Sequence, residues 1–203
     1  MAESFPLFPL GLVLLPSEVI PLHIFEERYK TMIGECVDEE KPFGILWLAD
    51  DGLRETGCTA AVTQVMEQME DGRSNILVQG GQVFRMLRRI DHLAYPAGDV
   101  ELLEDAGGDP DEEVAAEARE GYADLVERVT DTRPGPGEVA VLDAYGMAAT
   151  IDFAPDAKQE LLELRTEDER MRSLAALFEQ TMRRIDYMER AGERARSNGK
   201  VRF

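Results

Sequence analysis

FPLFPLGLVLLPSEVIPLHIFEERYKTM, residues 5–32, decides how the rest of the chain is read. Its first half is an apolar run interrupted by Pro6, Pro9 and Pro16. Proline has no N–H to give a central ladder, so the run predicts an edge-like first strand. Pro16-Ser17-Glu18 predicts a tight turn, and Val19-Ile20-Pro21-Leu22 a short extended piece. Glu26-Glu27 place acids where the positive end of a helix dipole favours them. Tyr29, Met32, Ile33 and Cys36 then recur every three or four residues and form one apolar helix face.

Working outward, Lys41-Pro42 stop this helix, and Phe43 to Ala49 is a continuous apolar run that predicts a buried strand. Asp50-Asp51-Gly52 is a turn. Cys58 to Met69 alternates loosely and predicts a long strand with a bulge. Asp71-Gly72 is a hairpin signal, with Asn75 to Gly80 as the return strand. Gly80-Gly81 allow a bend or bulge before a further strand, Val83 to Ile90. Asp99 to Leu103 completes the set. Many strands and one early helix predict a small, closed or nearly closed barrel. Glu104 to Glu113 is an acidic, glycine-containing linker without an apolar period.

Within that linker Asp109 is the expected N-cap, Pro110 the first helical residue and Glu112 the acid of a capping box. The helix runs toward Val129, with Val114, Ala118, Tyr122, Leu125 and Val129 on one face, and Arg133 to Gly137 break it. Short helices are expected at Glu138 to Ala149 and Asp156 to Leu164. Thr166 with Glu169 caps a long last helix whose face is Met171, Leu174, Phe178, Ile185 and Met188. The organisation expected is a β-rich part over 1–104, a helical part over 110–195, and a frayed tail over 196–203.

The ordered set of strings resembles the Lon protease amino-terminal, substrate-binding domain family. It begins with P-L-F-P-L…V-L-L-P…V-I-P-L-H-I-F-E-E-R-Y. Glu55 to Val62 is similar to the family's "vGtvA" strand, Asp71-Gly72-Arg73 to its "DG" hairpin, and Ile76 to Arg85 to its "vlveGlxRf" segment, with Gly81 as an extra glycine. The resemblance implies an α+β fold, a PUA-like pseudo-barrel followed by a helical bundle. It also implies a module that contacts unfolded or exposed apolar segments.

The chemistry of the residues narrows this further. A formal net charge of −19 over 203 residues disfavours general binding to phosphate backbones. Two cysteines and no basic leader predict reduced thiols in the cytoplasm, and the apolar run Leu10 to Leu15 is too short to span a membrane. His23 and His92 are the only histidines, and with Cys36 and Cys58 they make no ligand spacing, so no metal is expected. Gly80-Gly81-Gln82 is not a phosphate loop. Ser4, Ser17, Ser74, Ser173 and Ser197 lie in nothing similar to the family's peptidase serine motif. The chain is therefore expected to be a stand-alone, non-enzymatic member without cofactor.

Its expected partners are unfolded or partly folded polypeptide or a dedicated protein partner, with a homodimer through the last helix as one arrangement. The candidate peptide-binding residues are Leu12, Val13, Leu14 and Val19 around the Pro16 turn, and Met66 and Met69 at the hairpin, since flexible methionines suit adaptable recognition. Arg28 is the candidate structural anchor, paired to the barrel. The rival reading is a small-molecule or RNA-binding PUA-like module that uses Arg85, Arg88 and Arg89 as a local basic strip.

Overall fold

A computed structural model of the chain describes residues 4–90 and 92–198. Its backbone forms two compact units, Met1–Gly107 with Tyr145–Arg165, and Gly108–Ala144 with Thr166–Phe203.

The first unit is built on one six-stranded mixed sheet. Strands β1 (Phe5–Leu10) and β2 (Val19–Ile24) precede helix α1 (Glu27–Asp38), and β3 (Phe43–Ala49), β4 (Gly52–Gln68), β5 (Ser74–Ile90) and β6 (Ala97–Leu102) follow it. The order is β2-β5-β4-β3-β1-β6, and β5 also pairs with β6. Five strands thus close into a ring, with β1 parallel to β3 and the other pairs antiparallel. Leu7, Leu46 and Phe84 form a buried cluster in it, flanked by Phe5, Leu53, Met86 and Val100. Helix α1 buries the expected Tyr29, Met32, Ile33 and Cys36.

Gly80 and Gly81 do not separate two strands as the sequence suggests. They lie inside one continuous 17-residue strand. Cys58 faces Val83 and Ala60 faces Gly80, so β5 carries an extra residue opposite Thr59. The Thr59 hydroxyl fills that bulge by accepting the Gln82 N–H at 2.8 Å. The bulge bends β5 without ending it. A Cβ at position 80 would lie 2.0 Å from the Leu15 carbonyl oxygen. The loop from β1 to β2 crosses there, held by Ser17 N–H to Gly80 O (2.9 Å) and Gly80 N–H to Glu18 O (2.8 Å).

Helix α5 (Pro155–Glu163) belongs to this unit, so the helical stretch expected over 110–195 is divided. Buried polar contacts hold it. Lys158 Nζ meets Glu18 Oε1 at 2.5 Å, and Gln159 Nε2 donates to the Thr56 carbonyl at 3.2 Å. The second unit packs α2 (Glu112–Thr130) on α6 (Glu167–Asn198); where one short helix is expected over Glu138 to Ala149 there are two, α3 (Pro136–Ala140) and α4 (Ala144–Ala148). Tyr122 and Phe178 meet at 5.8 Å between ring centroids.

Asp111, not Asp109, caps α2, accepting the N–H groups of Glu113 (2.9 Å) and Val114 (3.3 Å). The Thr166–Glu169 capping box forms as expected. Val129 and Met188 follow the helical period yet are exposed. Helix α6 continues through 196–198, where fraying was expected, and residues 199–203 lie outside the described residues.

Candidate functional site

Beyond the ring, β4 and β5 run on together as a hairpin, and β2 adds to the outer side of β5. The register gives three rows across this three-stranded arm: Val19–Gln79–Ala61, Pro21–Leu77–Gln64 and His23–Asn75–Glu67. Directly opposed residues share a face. The intervening residues Leu22, Ile24, Ile76 and Val78 are buried on the inner face. The three rows therefore form the outer face, where Val19 is 52% exposed. Phe25 follows β2 at 59% exposure and stacks on His23, with centroids 5.8 Å apart.

The last row is a polar ladder. His23 Nδ1 donates to Asn75 Oδ1 at 2.7 Å, and Asn75 Nδ2 donates to Glu67 Oε2 at 2.8 Å. Neither partner of His23 is a nucleophile. Both outer strands of the arm are open at their edges. Among the described residues, pairing of β3 to β4 ends at Ala60 and β2 pairs with β5 alone. Such an edge presents N–H and C=O groups to any added strand. The register shifts on either side of Thr63 and Met66 put a bulge at each. Thr63 Oγ1 donates to the Leu77 carbonyl at 3.2 Å and fixes the first. The second explains why Met66 is 46% exposed.

The hairpin tip is rigidly made. Gly72 takes φ +79°, which a turn of this kind needs. Asp71 accepts the Arg73 N–H and Nε, and these bonds hold its carboxyl below the usual range. Lys30 Nζ reaches the Asp71 carbonyl at 2.8 Å and ties the tip to α1.

Of the candidates from sequence, Val19 and Met66 are exposed on the arm, on its two different outer strands. Met69 and Leu12 are half-buried. Val13 and Leu14 are core residues, Leu14 at 1% exposure, because the stitched-down loop turns them inward. The apolar runs around the Pro16 turn and the hairpin do not single out Pro21, Phe25 or Leu77, which also lie on this face. The alternation of β2, with Leu22 and Ile24 inward, was the signal for the first two.

Arg28 does not anchor the barrel. It is exposed, pairs locally with Glu26 at 2.8 Å and lies over the Tyr29 ring at 4.6 Å. Burial pushes the Cys36 thiol up to about 11 and that of Cys58 to about 12, leaving both as poor nucleophiles at neutral pH. Among the described residues no group of three His, Cys, Asp or Glu is placed to hold a metal, and no helix is long and apolar enough to cross a membrane. In the basic strip, Arg88 is bound twice by Asp99, at 2.9 and 2.7 Å, which interrupts the strip's charge.

The family model of the ATP-dependent protease La (LON) substrate-binding domain matches residues 4–180. The chain belongs to this family. The Lon protease of Paraburkholderia phytofirmans is 26% identical over 169 residues, spanning 74% of this chain and 21% of that protein. That of Anaeromyxobacter dehalogenans is 26% identical over 183 residues, spanning 78% and 21%. The chain thus spans about a fifth of the length of these relatives.

Solved structures share the fold. A Lon N-terminal domain protein from Xanthomonas campestris aligns with TM-score 0.66 and 24% identity over 86% of this chain and 98% of that one. The N-terminal domain of a Mycobacterium avium complex Lon protease aligns with TM-score 0.66 and 19% identity over 87% and 98%. In this LON substrate-binding domain the strings that carried the resemblance are structural. The "vGtvA" string lies in β4, and the glycines of the "vlveGlxRf" string lie where β5 passes under Leu15 and around Thr59.

Proposed function

We propose that this chain is a non-catalytic recognition module that binds unfolded or partly folded polypeptide on the outer face and open edges of its arm. It would serve as an adaptor or regulator in protein quality control. The observation that carries this reading is the arm itself: exposed Val19, Pro21 and Phe25 along its β2 side, with half-buried Leu77 beside Pro21, next to strand edges that have no partner strand among the described residues. An extended segment can take main-chain hydrogen bonds from such an edge and place alternate side chains on such a face. Family membership supports the same reading. The proteolysis named in the relatives is not assigned to this chain. The reading places the protein in the cytoplasm, in keeping with two free cysteines.

The test is fluorescence anisotropy with a labelled, reduced and alkylated protein as the unfolded probe. Val19 and Phe25 are already half exposed, so completing their burial contributes about 1 kcal/mol each. The double variant V19S/F25S should therefore bind roughly tenfold or more weakly, with unchanged thermal stability. No binding by the parent, or equal binding by the variant, refutes the reading.

A further inference from the structure

A concavity of about 490 Å³ opens in the first unit away from the arm's three rows. Its wall includes Arg54, Glu55 and Thr56 of β4, Arg85 of β5, Glu163 at the end of α5, and Arg165, so two carboxylates face three arginines. The whole chain carries 41 acidic residues against 22 Lys and Arg, yet three arginines meet here. Arginine presents a planar fork that matches a carboxylate bidentately, which lysine does not.

The three have different duties. Arg54 is taken by Asp51 (3.1 and 3.2 Å) and lies 5.3 Å from the Trp47 ring centroid. Arg165 Nη2 donates to the Glu104 carbonyl at 2.6 Å, which fixes its position. Arg85 is exposed, and among the described residues its guanidinium has no hydrogen-bond or ion-pair partner. It stands in register between Thr56 on β4 and Glu101 on β6. Glu163 is held by Gln159 Nε2 at 2.9 Å and supplies a fixed acceptor on the same wall. Leu53 and Leu103 add apolar surface.

A fork for an oxyanion, an acceptor beside it and an apolar wall fit one chemical group better than others. That group is a carboxylate with an N–H donor and an apolar side chain on the adjacent carbon. A phosphate has no apolar side chain for Leu53 and Leu103, and the carboxyl of an internal Asp or Glu sits farther from its backbone N–H. We propose that this concavity binds the C-terminal residue of a polypeptide, its carboxylate on Arg85, its N–H toward Glu163 and its side chain against Leu53 and Leu103. This rests on the polypeptide-binding reading above and adds a chain-end preference to it.

Trp47 is the only tryptophan and sits behind Arg54, so its emission reports occupancy. The full chain is titrated with an N-acetylated pentapeptide ending in leucine, as the free acid and as the C-terminal amide. An amidated peptide with an internal glutamate and inorganic phosphate are the comparison probes. The free acid should bind at least about tenfold more tightly than the amide, as a charge-assisted bond to a single fork implies. R85Q, at an exposed position, should keep its melting temperature and erase that difference.

Equal binding of acid and amide, or an unchanged preference in R85Q, overturns the proposal. So does phosphate or the internal glutamate matching the free acid. If acid and amide bind equally while V19S/F25S still weakens the unfolded probe, the chain-end preference fails and the arm reading stands. If no probe binds, both fail.

Discussion

The Lys158–Glu18 pair offers the sharpest check on how the first unit holds together. The two side chains come from positions 140 apart, are 9% and 8% exposed as residues, and meet at 2.5 Å. Glu18 has a second partner, since its Oε2 accepts the Leu15 N–H at 2.9 Å. Replacing Lys158 by Met leaves volume and stem in place but strands the carboxylate with one backbone donor. Removing one member of a buried pair costs about 3–5 kcal/mol, because the other charge stays buried without compensation. Replacing both, as E18Q/K158M, keeps an acceptor for Leu15 and removes both charges, so it should cost about 1 kcal/mol or less. The double variant is thus expected to be more stable than the single one. Urea unfolding followed by Trp47 emission reads this unit, and for a chain of this size the single variant should melt roughly 6–20 °C lower. A K158M loss under about 1 kcal/mol, or a double variant no better than K158M, would refute the account of α5 as held by this pair.

The core and surface assignments of the candidate residues separate cleanly by mutation. L14A should lose about 2–5 kcal/mol in denaturant titration, whereas V19S should lose under about 0.5 kcal/mol. G80A should fail to fold or lose about 3 kcal/mol or more, since its Cβ meets the Leu15 carbonyl, while G11A, with nothing within 4 Å, should melt like the parent. D111A should cost about 1 kcal/mol through the lost cap of α2, and D109A close to nothing, as read by thermal unfolding. Native Cys36 and Cys58 should resist a thiol reagent at pH 8 and react once the chain is unfolded in urea. Their folded pKa values lie above the ordinary 9.0, so above about pH 9 the unfolded state has given up protons that the folded state still holds. Their contribution to stability is therefore complete below pH 9 and is lost toward pH 11–12, which C36A should lessen in an alkaline urea series.

Local pattern made much of the first unit legible. The face of α1, the strand Phe43–Ala49 and the Asp71-Gly72 turn each follow from periodicity or turn chemistry within a few residues. What stayed hidden depends on distant partners. Nothing near Lys158 in sequence announces Glu18, so α5 reads as part of a contiguous helical half. Gly80-Gly81 reads as a corner because two glycines permit one, and only the Thr59 hydroxyl shows that the strand continues. Val129 and Met188 fit the helical period, but a period states which face is apolar, not how far the opposing helix reaches. Leu14 and Val19 are both apolar and five residues apart. Their opposite fates depend on a loop stitched to β5 and on the parity of β2. Arg28 finds Glu26 two residues away, so no long-range anchor is needed.

An arm with two open edges and exposed apolar residues such as Val19 and Phe25 is also a hazard, because the same edges can pair with a copy of the chain. The sequence of β4 counters that hazard locally. Bulges at Thr63 and Met66 break the flat repeat that edge-to-edge pairing needs, and Glu67 places a charge at the far end of the strand. The net charge of −19 adds repulsion between copies at long range. A single extended segment is not subject to the same exclusion. It can conform to a bulged edge residue by residue, whereas a second rigid sheet cannot. Under the proposed function, the features that keep the arm from joining its own kind are therefore those that leave it open to an unfolded chain. Removing them should shift the balance: straightening β4 by deleting Met66 is expected to promote concentration-dependent self-association in analytical ultracentrifugation, and self-association no greater than the parent's would refute this role for the bulge.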